Sequence, residues 1–347
     1  MTTAQRLPGV DALKGLACVL IVWHHLAFYG PMSDVVHGAA PALMNWLYTY
    51  GRMAVQVFLV VAGFLAACSL APQGSAVFRQ PERLLLRRYR RLALPLAVAV
   101  LVTVAVAALV RPWLQHASVP GAPTFWQLLA NLFLLQDLVG EEALSAGLWY
   151  VAIDFQLFAI SVALLTLVRG ERHRWVVLAL AAASLLVFNR HPWLDMTGLY
   201  FFGAYGLGMM AWWAARASQP RRWLTGMAVL GAATLALDFR GRLVVALAVA
   251  LALVWMQRGQ WAARWLQPPW VQRLGQRSYA IFLIHFPVCL LVNALVTRLW
   301  PGQLGANTLG MLAAFGLSLL AGAALYGAVE SPDARWRGWW KARWVPQ

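Results

Sequence analysis

The chain runs to 347 residues, of which 61% are hydrophobic and only 12% charged, with a mean hydropathy of +0.64. A soluble domain carries about twice that charge, so disorder, a collagen-like fibre and a disulfide-stapled secreted module are excluded along with an ordinary soluble fold. The formal charge of +16 would suggest nucleic acid in a soluble protein. Here the basic residues stand between apolar runs, where they read as orientation signals with no nucleic-acid partner.

A helix needs about 20 apolar residues to cross roughly 30 Å of hydrocarbon. That ruler places spans at 11–29, 53–70, 92–110, 146–168, 175–189, 197–215, 223–238, 242–257, 278–297 and 307–329. The predicted fold class is therefore all-α, a polytopic membrane protein of about ten transmembrane helices. The shortest spans are 175–189, 223–238 and 242–257, and Phe125–Leu138 reads as interfacial or re-entrant. The first apolar run, Leu16–Tyr29, carries a His pair and ends without a small-residue cleavage pattern, so it reads as a membrane helix and not a signal peptide.

Charge bias tests the count. With the N-terminus in the cytoplasm, the inner side receives 22 of the 28 basic residues: Arg6, Lys14, the six arginines from Arg79 to Arg91, Arg169, Arg172, Arg174, Arg216, Arg221, Arg222, Arg258, Arg264, Arg273, Arg277, Arg335, Arg337, Lys341 and Arg343. The outer side receives only Arg52, Arg111, Arg190, Arg240, Arg242 and Arg298. A missed helix would invert this bias from that point on, so both termini are expected in the cytoplasm. The longest polar stretch, 71–91, is too short for a domain of its own, and no internal repeat stands out. Residues 1–347 are thus expected to form a single integral-membrane domain with no appended soluble domain. Of the 19 tryptophans, Trp46, Trp113, Trp126, Trp193, Trp261, Trp265, Trp300, Trp336, Trp339 and Trp340 lie near span ends and read as interfacial anchors. Cys18, Cys68 and Cys289 each sit in an apolar stretch; their odd number and wide spacing suit buried hydrophobes, not a disulfide framework or a metal site.

Ionisable groups inside spans are costly, and each is a functional hypothesis. The first span holds Asp11, Lys14, His24 and His25. Eleven helical steps turn Lys14 onto the face of His25 within about 20°, roughly 16 Å away along the axis, with Asp11 about 60° from Lys14. One reading is an anion site at Lys14 with proton transfer at His25. The other is a snorkelling lysine and hydrogen-bonded core histidines. The run Arg83–Arg91 leads into the third span, where it serves topology and anionic lipid or, through Arg87, Arg88, Arg90 and Arg91, binds phosphate. Asp154 lies about two turns into the fourth span, either as a working carboxylate or as the partner of an arginine. His285 stands within the ninth, two residues before Pro287, whose missing N–H frees a backbone carbonyl. His37, His116, His173 and His191 fall in predicted loops and read as solvated.

Five segments, in order, resemble the membrane-bound acyltransferase-3 family. They are Pro8–Ala17 followed by His25, Phe58–Leu65, Arg87–Pro95, Leu148-Trp149-Tyr150 with Asp154 and Gln156, and Ser278–Pro287. The resemblance covers nearly the whole chain, although Lys14 stands where the family usually has Arg, and Asp154 where it has Glu. It implies transfer of an acyl group, usually acetyl from acetyl-CoA, to a hydroxyl of a glycan or lipid-linked sugar, in the cytoplasmic (inner) membrane. On this reading the donor phosphates sit on Arg87, Arg88, Arg90 and Arg91. His25 acts as general base or acyl carrier, Asp11 or Asp154 supports an imidazole, and His285 lines the site. No metal is implied. Without an appended hydrolase-like domain, the membrane domain completes transfer itself or hands the acyl group to a separate periplasmic partner. Two rival classes remain: a proton-coupled secondary transporter, and a haem carrier with His25 and His285 as axial ligands.

Overall fold

A computed structural model describes residues 7–168, 172–259 and 268–331. Arg6, Arg169, Arg264, Arg335, Arg337, Lys341 and Arg343 lie outside the described residues, as do Trp261, Trp265, Trp336, Trp339 and Trp340. Among those described, every regular element is helical. In chain order these are α1 Pro8–Phe28, α2 Pro31–Ala39, α3 Pro41–Gly51, α4 Ala54–Leu70, α5 Pro81–Val110, α6 Phe125–Leu132 and α7 Gln136–Val139. Then follow α8 Leu148–Leu167, α9 Arg172–Leu186, α10 Gly198–Arg216, α11 Pro220–Leu237, α12 Gly241–Arg258, α13 Pro269–Leu299 and α14 Leu304–Leu325.

Each of the ten predicted spans coincides with one of these helices, and the protein is a multi-pass membrane protein. Among the described residues, seven segments are long and apolar enough to cross a bilayer: α1, α3 with α4, α5, α8, α12, α13, and α14 with the turn after it. Three predicted spans fall short of that measure, for different reasons. With 15 residues, α9 is about 22 Å long, less than the hydrocarbon thickness. The glycines, tyrosines and tryptophans of α10 dilute its hydropathy, and nearly all of its side chains are buried in protein. The 18 residues of α11 hold two arginines, as those of α12 do, but also a proline, two glycines and two threonines, and fewer valines than α12. The segment after residue 124 forms the short helices α6 and α7, with Phe125 and Trp126 exposed on the first, as an interfacial segment requires.

The chain divides into two compact units. The first is Met1–Ala17, Met53–Tyr89 and Tyr150–Gln276; the second is Cys18–Arg52, Arg90–Trp149 and Arg277–Gln347. In the first unit, α4 and α10 cross backbone against backbone. A Cβ on Gly63 would stand 1.8 Å from the Tyr205 carbonyl oxygen, and one on Gly208 1.9 Å from that of Val60. Only glycine permits that approach. Trp212 and Trp213 donate their indole N–H groups to the carbonyls of Pro72 and Ala71, tying α10 to the end of α4. Two of the arginines predicted outside are held by specific contacts: Arg240 donates to the Asn189 carbonyl at 2.7 Å, and Arg242 to the Tyr200 hydroxyl at 2.6 Å.

In the second unit, Asn293 of α13 clamps the end of α1. Its Nδ2 donates to the Tyr29 carbonyl at 3.4 Å and its Oδ1 accepts the Met32 N–H at 3.1 Å. Gly30, with φ 94°, lets the chain turn against that amide. The Tyr279 hydroxyl donates to the Leu92 carbonyl at 2.9 Å, joining α13 to α5. The loop before α8 turns inward, so residues 144–148 are all buried. Asn131 takes over its backbone groups, accepting the Leu144 N–H at 2.9 Å and donating to the Glu142 carbonyl at 3.1 Å. Gly147, at φ 81°, presses onto the Phe282 ring. The predicted outer end of the fourth span therefore starts inside the protein and not at the water.

Cys18 and Cys289 are buried and Cys68 is half-buried, all three as free thiols. Of the four histidines expected to be solvated, His173 departs: it is 5% exposed, its ring turned onto the Val168 carbonyl at the start of α9.

Candidate active site

His25 and His285 are 7% and 0% exposed, and they meet. His25 Nδ1 lies 2.6 Å from His285 Nε2, with ring centroids 4.8 Å apart and only 3° between the planes. A contact that short between nearly coplanar rings runs edge to edge along the ring plane, as a hydrogen bond does. On its other side, His285 Nδ1 lies 2.7 Å from the Phe282 carbonyl. That carbonyl can only accept, so His285 carries its proton on Nδ1 and presents the Nε2 lone pair to His25. His25 must then hold its own proton on Nδ1, and its Nε2 lone pair is left unpaired among the described residues. One backbone carbonyl thus dictates the tautomers of two imidazoles in series.

Several contacts keep this pair in register. The Asn293 clamp sets the height of α1 against α13, the Tyr29 ring packs edge-on against Phe286 at 5.1 Å, and Gly322 of α14 lies against Ile281. The neighbouring His24 points elsewhere, its Nδ1 lying 3.2 Å from the Leu47 carbonyl of α3.

A second centre lies in the other unit. Arg88 of α5 donates through Nη2 to Asp154 Oδ2 at 2.5 Å, with side chains 24% and 6% exposed, and its guanidinium sits 5.3 Å from the centre of the Phe158 ring. Its Nε is buried with no hydrogen-bond partner among the described residues. The arginine run therefore divides: Arg88 turns inward, whereas Arg87, Arg90 and Arg91 are exposed. Gln156, two residues on from Asp154 and so on the opposite face of α8, accepts the Gly198 N–H at 2.8 Å through Oε1, satisfying the first turn of α10. Lys14 lies 3.5 Å from Asp11 as a partly exposed i,i+3 pair. Gly275 packs against the Asp11 backbone, where a Cβ would come within 2.0 Å of the carbonyl oxygen.

The hydrogen-bonding partner of His25 is thus a second histidine, while Asp11 and Asp154 bond to cations. The clamp residues Asn131 and Asn293 were not singled out in the sequence. Their signal was present, since each is an amide flanked by apolar residues, but it is weaker than a buried charge. No group of three His, Cys, Asp or Glu side chains suited to a metal occurs among the described residues. Two nitrogens bound to one metal stand roughly 3.3 Å apart at a tetrahedral centre and roughly 4 Å apart across it when opposite, from bonds of about 2 Å. The directly bonded His25–His285 pair does not have that geometry.

A family model described as an acyltransferase domain, that of acyltransferase-3, matches residues 7–327. The chain belongs to the acyltransferase-3 family. Among relatives of this acyltransferase, "Acyltransferase MdmB" of Streptomyces mycarofaciens is 25% identical over 380 residues, covering 96% of this chain and 93% of its own. "Putative membrane-bound transacylase BcsY" of Komagataeibacter xylinus is 24% identical over 335 residues, covering 89% and 79%. No solved structure matches. The protein is a membrane acyltransferase, which takes the place of the transporter and haem-carrier readings.

Proposed function

We propose that this acyltransferase works as one membrane domain in the cytoplasmic (inner) membrane. It moves acetyl from cytoplasmic acetyl-CoA to a hydroxyl of an extracytoplasmic or lipid-linked glycan, with His25 at the centre of the chemistry. The observation that carries this reading is the His25–His285 pair, which leaves a lone pair at His25 Nε2. In direct transfer, Nε2 takes the proton of the acceptor hydroxyl as its oxygen attacks the thioester carbonyl. The carbon–sulfur bond then breaks, and the imidazolium returns its proton to the departing thiolate, so an ester and free CoA thiol result. The transient charge on His25 is stabilised through Nδ1–H by the lone pair of His285.

Nε2 is equally suited to attack the thioester first: the carbon–sulfur bond breaks, CoA leaves as thiolate, and the acetyl is held as an acyl-imidazole. The acceptor hydroxyl then takes the acetyl, breaking the carbon–nitrogen bond and giving up its proton to the thiolate or to water. The exposed Arg87, Arg90 and Arg91 are suited to the donor phosphates. Arg88 is held by Asp154 as the fixed member of that set, and Lys14, positioned by Asp11, adds a cation on α1. The acceptor class rests on the family resemblance.

The test supplies purified protein in lipid with radiolabelled acetyl-CoA and membrane glycans. Wild type is expected to consume thioester and label glycan, and His25→Ala to lose about a hundredfold or more of that rate while still unfolding in one cooperative transition. Unchanged turnover in His25→Ala would overturn the role of His25. Absence of acetyl-CoA binding and thioester loss in wild type would overturn the donor.

A further inference from the structure

The first unit contains a cavity of about 510 Å³ that shares no lining residue with either centre, lined by Arg174, Trp175, Leu178, Met210, Arg222, Trp223 and Gly226. Three helices build it: the start of α9, the last part of α10 and the start of α11. Its wall is layered. Arg174 and Arg222 stand in the first turn of their helices, each followed by a tryptophan. Leu178 and Gly226 lie one turn further in, beside the buried Met210. Polar groups thus crowd one end and apolar surface the other.

The polar end attracts anions in three ways. Two arginines face it. The N-terminus of α11, whose cap residue makes no side-chain hydrogen bond, stands at the same end as Arg222. Arg174 is only partly used: its Nη2 donates to the Gln73 carbonyl at 2.8 Å, while its Nε is buried without a partner among the described residues. The apolar end is open, since a Cβ on Gly226 would meet nothing within 4 Å. Trp175, 71% exposed in the first turn of α9, has the amphipathic ring that favours a headgroup layer. The charge bias puts this arginine-rich end in the cytoplasmic leaflet, where anionic lipids concentrate.

We infer that this cavity is a binding site for an anionic phospholipid, with the phosphate at Arg174 and Arg222 and the start of an acyl chain along Leu178, Met210 and Gly226. A free phosphate or a soluble nucleotide would leave the apolar half unfilled. A zwitterionic lipid brings a cation against two arginines. The site is independent of the acyl-transfer reading.

Binding of dioctanoyl-phosphatidylglycerol to the full-length protein in detergent tests it, with dioctanoyl-phosphatidylcholine, inorganic phosphate and coenzyme A as the other arms. Phosphatidylglycerol is expected to bind saturably and phosphatidylcholine about tenfold more weakly, with neither phosphate nor coenzyme A competing. Arg222→Gln, at an exposed position, is expected to weaken phosphatidylglycerol about fivefold. Gly226→Leu fills the apolar half and is expected to abolish binding while both arginines remain. Equal affinity for the two lipids, or affinity unchanged in Arg222→Gln, overturns the proposal. So does displacement by coenzyme A, which would make this a nucleotide site.

Discussion

A neutral imidazole that accepts through one nitrogen donates through the other, and this rule lets the Phe282 carbonyl act at a distance. It sets the tautomer of His285 and, through it, that of His25. His285 is therefore a positioning residue. His285→Phe is expected to lower kcat about a hundredfold with KM nearly unchanged. His285→Gln, whose side-chain oxygen accepts the same N–H, should recover part of that loss. Equal loss in both variants, or a change carried by KM, contradicts the role; the readout is steady-state acetyl transfer. Asp154 poses a different problem. It is 4% exposed, and removing it strands the Arg88 guanidinium. Asp154→Ala is expected to cost about 3 kcal/mol, the lower end for a broken buried pair because Arg88 keeps some water contact. Thermal unfolding in detergent should show that drop, and the double variant Arg88→Met with Asp154→Leu should reverse most of it. A single variant as stable as wild type would leave the pair without a structural part.

At the scale of elements, the precision of the His pair depends on how α1 is held against α13. One amide, Asn293, bonds both to Tyr29, just past the end of α1, and to Met32 in the first turn of α2. Asn293→Ala removes both bonds and leaves buried backbone groups unsatisfied, which costs about 1–3 kcal/mol. A melting curve shifted down together with a fall in kcat is the expected result. A stable variant with full activity would show that α1 is aligned by other contacts. The family-like segment Phe58–Leu65 has a comparable explanation. Gly63 is the point where α4 lies on the backbone of α10, so that segment is a packing device. Likewise, Gln156 satisfies the start of α10. Four of the five resembling segments carry the His and Arg–Asp centres, while Gly63 and Gln156 hold helices in place, a distinction that motif order does not reveal.

For the whole molecule, the number of crossings turns on the short helix α9, the largely buried α10 and α11 with its two arginines. Cysteine labelling with an impermeant maleimide in intact cells, in a Cys68→Ser background, decides the α9 and α10 pair. Gly121→Cys and His191→Cys are expected to react from outside. Gln80→Cys and Ser218→Cys should react only after permeabilisation. His191→Cys protected in intact cells would mean that α9 does not cross, and the count of ten would fall.

Much of this arrangement was legible in the chain, because hydrocarbon and charge act locally. A backbone in lipid must satisfy its hydrogen bonds within each segment, so apolar runs become helices wherever they occur. Arginine between them reports the side of the membrane without reference to any distant contact. Individual polar residues such as His25, Asp154 and His285 stood out for the same reason: each is anomalous within its own segment. What each one bonds to was decided only by tertiary structure. His25 and His285 are 260 residues apart, and Arg88 and Asp154 are 66 apart. Such pairings depend on the rotation and depth of one helix against another, set by glycine contacts, asparagine clamps and an inward-turning loop. No periodicity along a single helix encodes those quantities.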